Sequence, residues 1–102
     1  MALDEARVDA LDEALDEAWE LAPQVALRDE AFGALAYHFT TRRLTFLKSR
    51  DLVDVVRLLG GSTTLREALD AAGVDAGSWD AYARAVLALA DGDMVRRREV
   101  AA

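Results

Sequence analysis

The sequence predicts a mixed α+β domain, because two kinds of apolar periodicity follow each other along its 102 residues. Between Gln24 and Leu47 the apolar residues recur at every second position, which is the pattern of half-buried strands. From Ser49 onward the apolar residues recur at helical spacing, and glycines follow the predicted helices. A single domain of this length buries a small core without disulfides or a structural metal.

The composition restricts the functional classes. With 53% hydrophobic and 30% charged residues the chain is globular, and no apolar run approaches the roughly 18 residues of a membrane span. The acidic N-terminus is unlike a signal peptide, so we expect a cytoplasmic protein with no membrane partner. The absence of cysteine excludes thiol nucleophiles, thiolate zinc sites and cysteine-held iron–sulfur clusters. Because His38 is the one histidine, we expect no cofactor and no enzymatic activity.

The formal net charge of −7 arises within the first 20 residues, where eight acidic residues accompany one arginine. The tetrad Leu-Asp-Glu-Ala occurs there three times, and its leucines and alanines favour a helix. We predict a helix over 3–21 that Pro23 ends, and we assign 1–22 to an acidic N-terminal helical arm. Such an arm is either a solvated segment or a surface that docks on its own domain or on a partner, including a second copy of the chain.

Three short strands are predicted next, in a domain that we place at 23–97. Val25 and Leu27 mark the first strand, the second is expected over 34–39, and the third is expected over 43–47. The short connections favour an antiparallel meander whose second and third strands form a hairpin. Leu44 and Phe46 share one face of the third strand, and we expect that face to be buried.

Three helices are predicted after the sheet. Each has its own capping signals: 50–59 after Ser49, a second from the capping box at 64–67 to Gly73, and a third over 79–91 after Ser78. Met94 and Val95 are then expected to return to the sheet, and 98–102 to form a tail. Three strands and three helices, with a short turn between the last two helices, make the outline of a winged helix-turn-helix domain with an extra N-terminal helix.

That outline first suggests a DNA-binding regulator. The third predicted helix, however, consists mostly of alanine and other apolar residues and has one arginine and two aspartates, which leaves little to read a base pair. We therefore expect no nucleic-acid partner. A DNA-binding regulator and a structural oligomerisation module remain alternatives, beside a domain that binds a ligand other than DNA.

Three segments carry a resemblance to a known family: Trp19 to Arg28, Phe32 to Phe39, and Thr41 to Ser49. Over these residues the chain resembles the peptide chaperone of mycofactocin biosynthesis, a RiPP recognition element that is similar to the pyrroloquinoline quinone peptide chaperone. The resemblance is dense over 19–59 and looser over 60–95. Two features depart from the family: its hairpin usually has a glycine where Thr40 stands, and the Leu-Asp-Glu-Ala arm is not part of the shared pattern.

The resemblance implies a non-catalytic protein that binds the leader of a precursor peptide and presents it to a radical S-adenosylmethionine maturase. In related domains the leader adds as a strand to the third strand and lies beside the third helix. Transferred to this sequence, the resemblance implies a peptide site of twelve residues on those two elements: Arg42, Arg43, Leu44, Thr45, Phe46, Leu47 and Lys48, with Ala81, Tyr82, Arg84, Ala85 and Ala88. The iron–sulfur clusters and S-adenosylmethionine would belong to the maturase.

Overall fold

The computed structural model describes residues 10–99, and the structural statements below concern that part of the chain. Its elements follow one another as α1 (10–16), β1 (Trp19–Leu21), β2 (Val25–Glu30), β3 (Gly33–His38), β4 (Leu44–Leu47), α2 (Arg50–Leu59), α3 (Leu65–Ala71), α4 (Trp79–Asp91) and β5 (Val95–Arg97). The predicted α+β class is confirmed. Within the described range, no helix has both the length and the apolar character needed to cross a membrane.

The predicted antiparallel meander is confirmed. Strands β2, β3 and β4 form one sheet in that order, so β4 is an edge strand. The turn between β2 and β3 requires glycine, because Gly33 has φ 151° and a Cβ there would clash with the carbonyl oxygen of Leu47. This close approach fixes the end of β4 against the start of β3.

The prediction of a helix through residue 21 is wrong at its C-terminal end. Helix α1 stops at residue 16, and Trp19–Leu21 form β1, which pairs with β5 in a separate two-stranded antiparallel sheet. Trp19 is buried and its indole N–H donates to the carbonyl oxygen of Ala14 at 2.9 Å, which stabilises this reversal of the chain. The predicted residues 3–9 of the helix lie outside the described range. Val95 does return to a sheet, but its partner is β1 rather than the three-stranded sheet.

One hydrophobic core joins α1 to the rest of the described chain. Leu11, Ala14 and Leu15 are buried in the same cluster as residues of β3, α2 and α4. The backbone N–H of Leu65 also donates to the carbonyl oxygen of Glu17 at 2.9 Å. Of the alternatives for the acidic arm, its described part therefore docks on its own domain. The domain boundary at residue 22 stays a prediction.

Ser49 and Thr64 cap their helices with side-chain hydrogen bonds, as predicted, and Ser78 occupies the predicted N-cap position of α4. The side chains of Ser49 and Thr64 accept hydrogen bonds from the backbone N–H groups of Leu52 and Glu67. Ser78 makes no such bond to α4, because it belongs to a 3₁₀ turn, Ala76–Ser78, that leads directly into the helix.

His38 organises the hairpin between β3 and β4. Its Nδ1 atom accepts hydrogen bonds from the backbone N–H groups of Thr40 at 3.2 Å and Thr41 at 3.1 Å. Arg42 is the residue of this turn that has a left-handed backbone conformation, with φ 63°. The turn therefore does not need a glycine at position 40. His38 itself is buried.

Replacing His38 with Ala should lower the free energy of unfolding by about 2 kcal/mol, because two backbone amides lose their acceptor. Replacing it with Asn should recover part of that loss, since an Asn side-chain oxygen accepts from the amides two and three residues further on. Urea denaturation of the parent and both variants measures the difference. An Ala variant with the parent's midpoint would show that these two hydrogen bonds contribute nothing to stability.

Candidate peptide-binding site

The outer edge of β4 presents unpaired backbone groups. His38 N–H donates to the carbonyl oxygen of Arg43 at 3.0 Å across the hairpin, and the register then pairs Thr45 with Ala36. Because successive residues of a strand direct their backbone groups to opposite sides, Thr45 and Leu47 hydrogen-bond toward β3. The N–H and C=O groups of Leu44 and Phe46 therefore point away from the sheet, where no described strand pairs with them.

An apolar groove of about 230 Å³ lies beside this edge, between β4 and α4. Five of the predicted site residues line it: Thr45, Phe46 and Leu47 on β4, and Ala85 and Ala88 on α4. Small side chains on α4 keep the groove open, since each alanine leaves space that a larger residue would fill. The strand and the helix that the resemblance implies for the site thus meet at one groove.

Four further residues line the groove that sequence reasoning missed: Leu52, Leu89, Gly92 and Met94. The sequence contains a signal that could have assigned Leu52 to the groove, because Leu52 is an apolar residue in the first turn of the helix that directly follows β4. Met94 and Gly92 had no such signal, since they follow α4 and are held at the groove by hydrogen bonds from their N–H groups to the carbonyl oxygens of Leu89 and Ala88.

The prediction that Leu44 and Phe46 face the core is wrong. These side chains are 56% and 57% exposed, whereas Leu47 is 1% exposed. The core face of the sheet instead carries Ala34 and Ala36, whose small side chains let α2 pack closely on β3. Leu44 and Phe46 therefore lie on the opposite face, whereas Leu47 lies on the core face.

The basic residues of the predicted site surround the groove and do not line it. Arg42, Arg43 and Lys48 are exposed at the two ends of β4. Arg84 lines a neighbouring groove of about 300 Å³, with Leu11 of α1 and Leu87 of α4 among its walls. Ala88 borders both grooves, so they adjoin along α4.

The remaining two predicted site residues lie elsewhere on α4. Ala81 is exposed and Tyr82 is half-buried, and neither lines either of these two grooves. Tyr82 instead packs against the hydrophobic core. The predicted site therefore extends beyond the groove toward the N-terminal end of α4.

This arrangement suits the binding of an extended peptide. An unpaired strand edge beside an apolar groove accepts an extended peptide, through backbone hydrogen bonds at the edge and side chains in the groove. Across residues 10–99, no three His, Cys, Asp or Glu side chains are grouped so that they could hold a metal ion. The Nδ1 atom of His38 is already engaged by two backbone amides.

Comparison with known proteins decides the family. The model of the peptide chaperone MftB family matches residues 18–96, which cover β1 to β4, the groove, α4 and all of β5 except Arg97. The chain belongs to this family. It is 46% identical over 84 residues to the peptide chaperone MftB of Mycobacterium tuberculosis, covering 82% of this chain and 77% of that relative.

Two further relatives agree. The peptide chaperone MftB of Mycobacterium ulcerans is 46% identical over 84 residues, with coverage of 82% of this chain and 77% of the relative. The protein of the same name from Mycolicibacterium smegmatis is 46% identical over 80 residues, covering 78% of each chain. No solved structure matches the chain significantly.

Family membership confirms the resemblance to the mycofactocin peptide chaperones. Membership in a peptide chaperone family also supports the prediction that the chain is not an enzyme. The range matched by the family model begins after α1 ends, in agreement with an acidic arm outside the shared pattern.

Proposed function

We propose that this chain is a winged-helix peptide chaperone that binds the leader of the mycofactocin precursor peptide and presents it to a radical S-adenosylmethionine maturase in the cytoplasm. The leader adds as a fourth strand at the edge of β4 and places alternate side chains in the groove beside α4. The observation that carries this proposal is the open edge of β4 next to an apolar groove, in a chain of the peptide chaperone MftB family.

The backbone supplies a sequence-independent part of the affinity. Leu44 and Phe46 offer two N–H donors and two carbonyl acceptors along the open edge, as the hairpin register requires. Each hydrogen bond to an added strand contributes about 1 kcal/mol net, so the edge supplies about 4 kcal/mol. Selection among peptides then depends on the side chains that enter the groove.

The charges around the groove suit an acidic peptide. Arg43, Lys48 and Arg84 are exposed, and none of the ion pairs found within residues 10–99 engages them. Exposed cations of this kind raise the association rate of an acidic ligand, and salt screens the effect. They therefore guide the leader toward the edge rather than hold it there.

Calorimetric titration of the full chain with the leader peptide tests the proposal, together with the variants Phe46→Pro and Phe46→Ala. Both variants lose the phenyl ring, but only proline removes the outward N–H of residue 46. An edge strand tolerates proline, because that amide makes no hydrogen bond with β3. We expect the Pro variant to bind about tenfold more weakly than the Ala variant, the equivalent of one lost hydrogen bond and some steric hindrance.

Thermal unfolding of both variants controls for damage to the sheet. Equal affinities of the folded Pro and Ala variants would place the leader away from the β4 edge. A parent chain that does not bind the leader at all would refute the proposed function.

A further inference from the structure

The face of the three-stranded sheet that points away from the core is rich in exposed apolar side chains. We call it the outer face and define it by six residues: Phe32, Leu35, Tyr37, Phe39, Leu44 and Phe46. Of the five exposed large hydrophobic residues in the described part of the chain, four lie on the outer face, and the fifth is Leu58 of α2. Apolar exposure is thus concentrated on the outer face, and Leu44 and Phe46 bring it to the open edge of β4.

Leu44 and Phe46, the two outer-face residues of β4, have other apolar side chains of the outer face as neighbours. Phe32 and Phe46 meet edge to face, with ring centroids 5.6 Å apart. In the register of the sheet, Leu35 lies opposite Phe46 and Tyr37 lies opposite Leu44. Because these neighbours restrict Leu44 and Phe46 before any ligand arrives, little side-chain entropy is lost when a ligand covers them.

Strand geometry determines what meets these two side chains. Leu44 and Phe46 are the residues whose backbone groups face the open edge, so an added strand places residues directly beside them. Side chains of residues opposite each other in neighbouring strands lie on the same face, with Cβ atoms about 5 Å apart. The peptide residues beside Leu44 and Phe46 must therefore project over the outer face, and the residue between them projects into the groove.

We infer that the bound peptide is selected on both faces of the sheet, so that the ligand is an extended peptide with a continuous apolar run of at least three residues. The inference rests on the proposed addition of the leader to β4. Groove-facing positions of the peptide meet Leu47, Leu52 and Met94, which are apolar. Outward positions meet Leu44 and Phe46, which stay more than half exposed until a neighbour covers them. A groove alone would instead select apolar residues at every second position.

A serine scan of the leader peptide, read as affinity for the full chain by fluorescence polarisation, distinguishes the two patterns. With the parent we expect at least three consecutive positions at which serine weakens binding about fivefold or more. With the double variant Leu44→Thr and Phe46→Thr, only the alternate, groove-facing positions should remain sensitive. Threonine keeps the β propensity of the strand while removing most of the apolar surface.

Phe39→Thr is the matched control, because Phe39 is 59% exposed on the same face but lies beside β3 rather than at the open edge. It should keep the parent's consecutive pattern. If serine weakens binding to the parent chain only at alternate positions of the leader, the inference is wrong and no variant is needed to show it. A consecutive pattern that persists in the folded double variant would also overturn it. If the parent chain does not bind the leader at all, the proposed function on which the inference rests is refuted.

Discussion

Replacing Ala85 with Trp should abolish binding of the leader peptide while leaving the domain folded. Ala85 is half-buried on the wall of α4 that faces β4, and the groove between them has a volume of about 230 Å³. An indole at this position fills the space that alternate peptide side chains would enter. We expect binding to weaken by about a hundredfold or more, which is the loss of roughly 3 kcal/mol of binding free energy.

The packing of the hydrophobic core should not change in the Ala85→Trp variant, because the buried face of α4 is formed by Ala83, Val86 and Leu89. Ala81→Trp is the matched control: Ala81 is exposed on the same helix and lies outside this groove. Calorimetric titration of both variants gives the affinities, and thermal unfolding shows whether they are folded. A folded Ala85→Trp variant with the parent's affinity would exclude this groove and direct attention to the neighbouring groove beside Arg84.

Deleting residues 1–16 should unfold the domain. The deletion removes Leu11, Ala14 and Leu15 from the core, where they are 5%, 1% and 4% exposed. Truncating one buried leucine to alanine costs about 2–5 kcal/mol, and a whole domain is stable by about 5–15 kcal/mol. The buried indole N–H of Trp19 would also lose its acceptor, the carbonyl oxygen of Ala14.

Leu15→Ala measures the same effect in the full-length chain, with an expected loss of about 3 kcal/mol in urea denaturation. Glu13→Ala is its control, because Glu13 is exposed on the same helix. A truncated chain that still unfolds cooperatively at the parent's urea midpoint would show that α1 is dispensable for the core.

The sequence predicted the order of the elements better than the direction of the side chains. In β4 both alternating sets contain apolar residues, Leu44 with Phe46 and Thr45 with Leu47, so the period alone does not identify the buried face. The face is decided by β3, where Ala34 and Ala36 leave room for α2. That information lies in the packing of another element and not in the strand itself.

The two-stranded sheet was beyond local pattern analysis for a related reason. Leu11, Leu15 and Trp19 follow one another at helical spacing, which predicts a helix that continues through Trp19. In the structure the pairing of β1 with β5 overrides that spacing. Gly92 and Met94 were missed for a different reason, because hydrogen bonds to the last turn of α4 place them at the groove and no apolar period marks them.

The pairing of β1 with β5 also affects when, during folding, the chain becomes able to bind a peptide. Trp19 lies opposite Arg97, so this small sheet joins residues near the two ends of the described range, and a contact of such large sequence separation forms late in folding. Gly92 and Met94, which line the groove, directly precede β5. The carbonyl oxygen of Met94 accepts a hydrogen bond from the N–H of Ala22, just after β1, at 2.9 Å. We therefore expect this wall of the groove, and with it the ability to capture a peptide, to be completed late in folding.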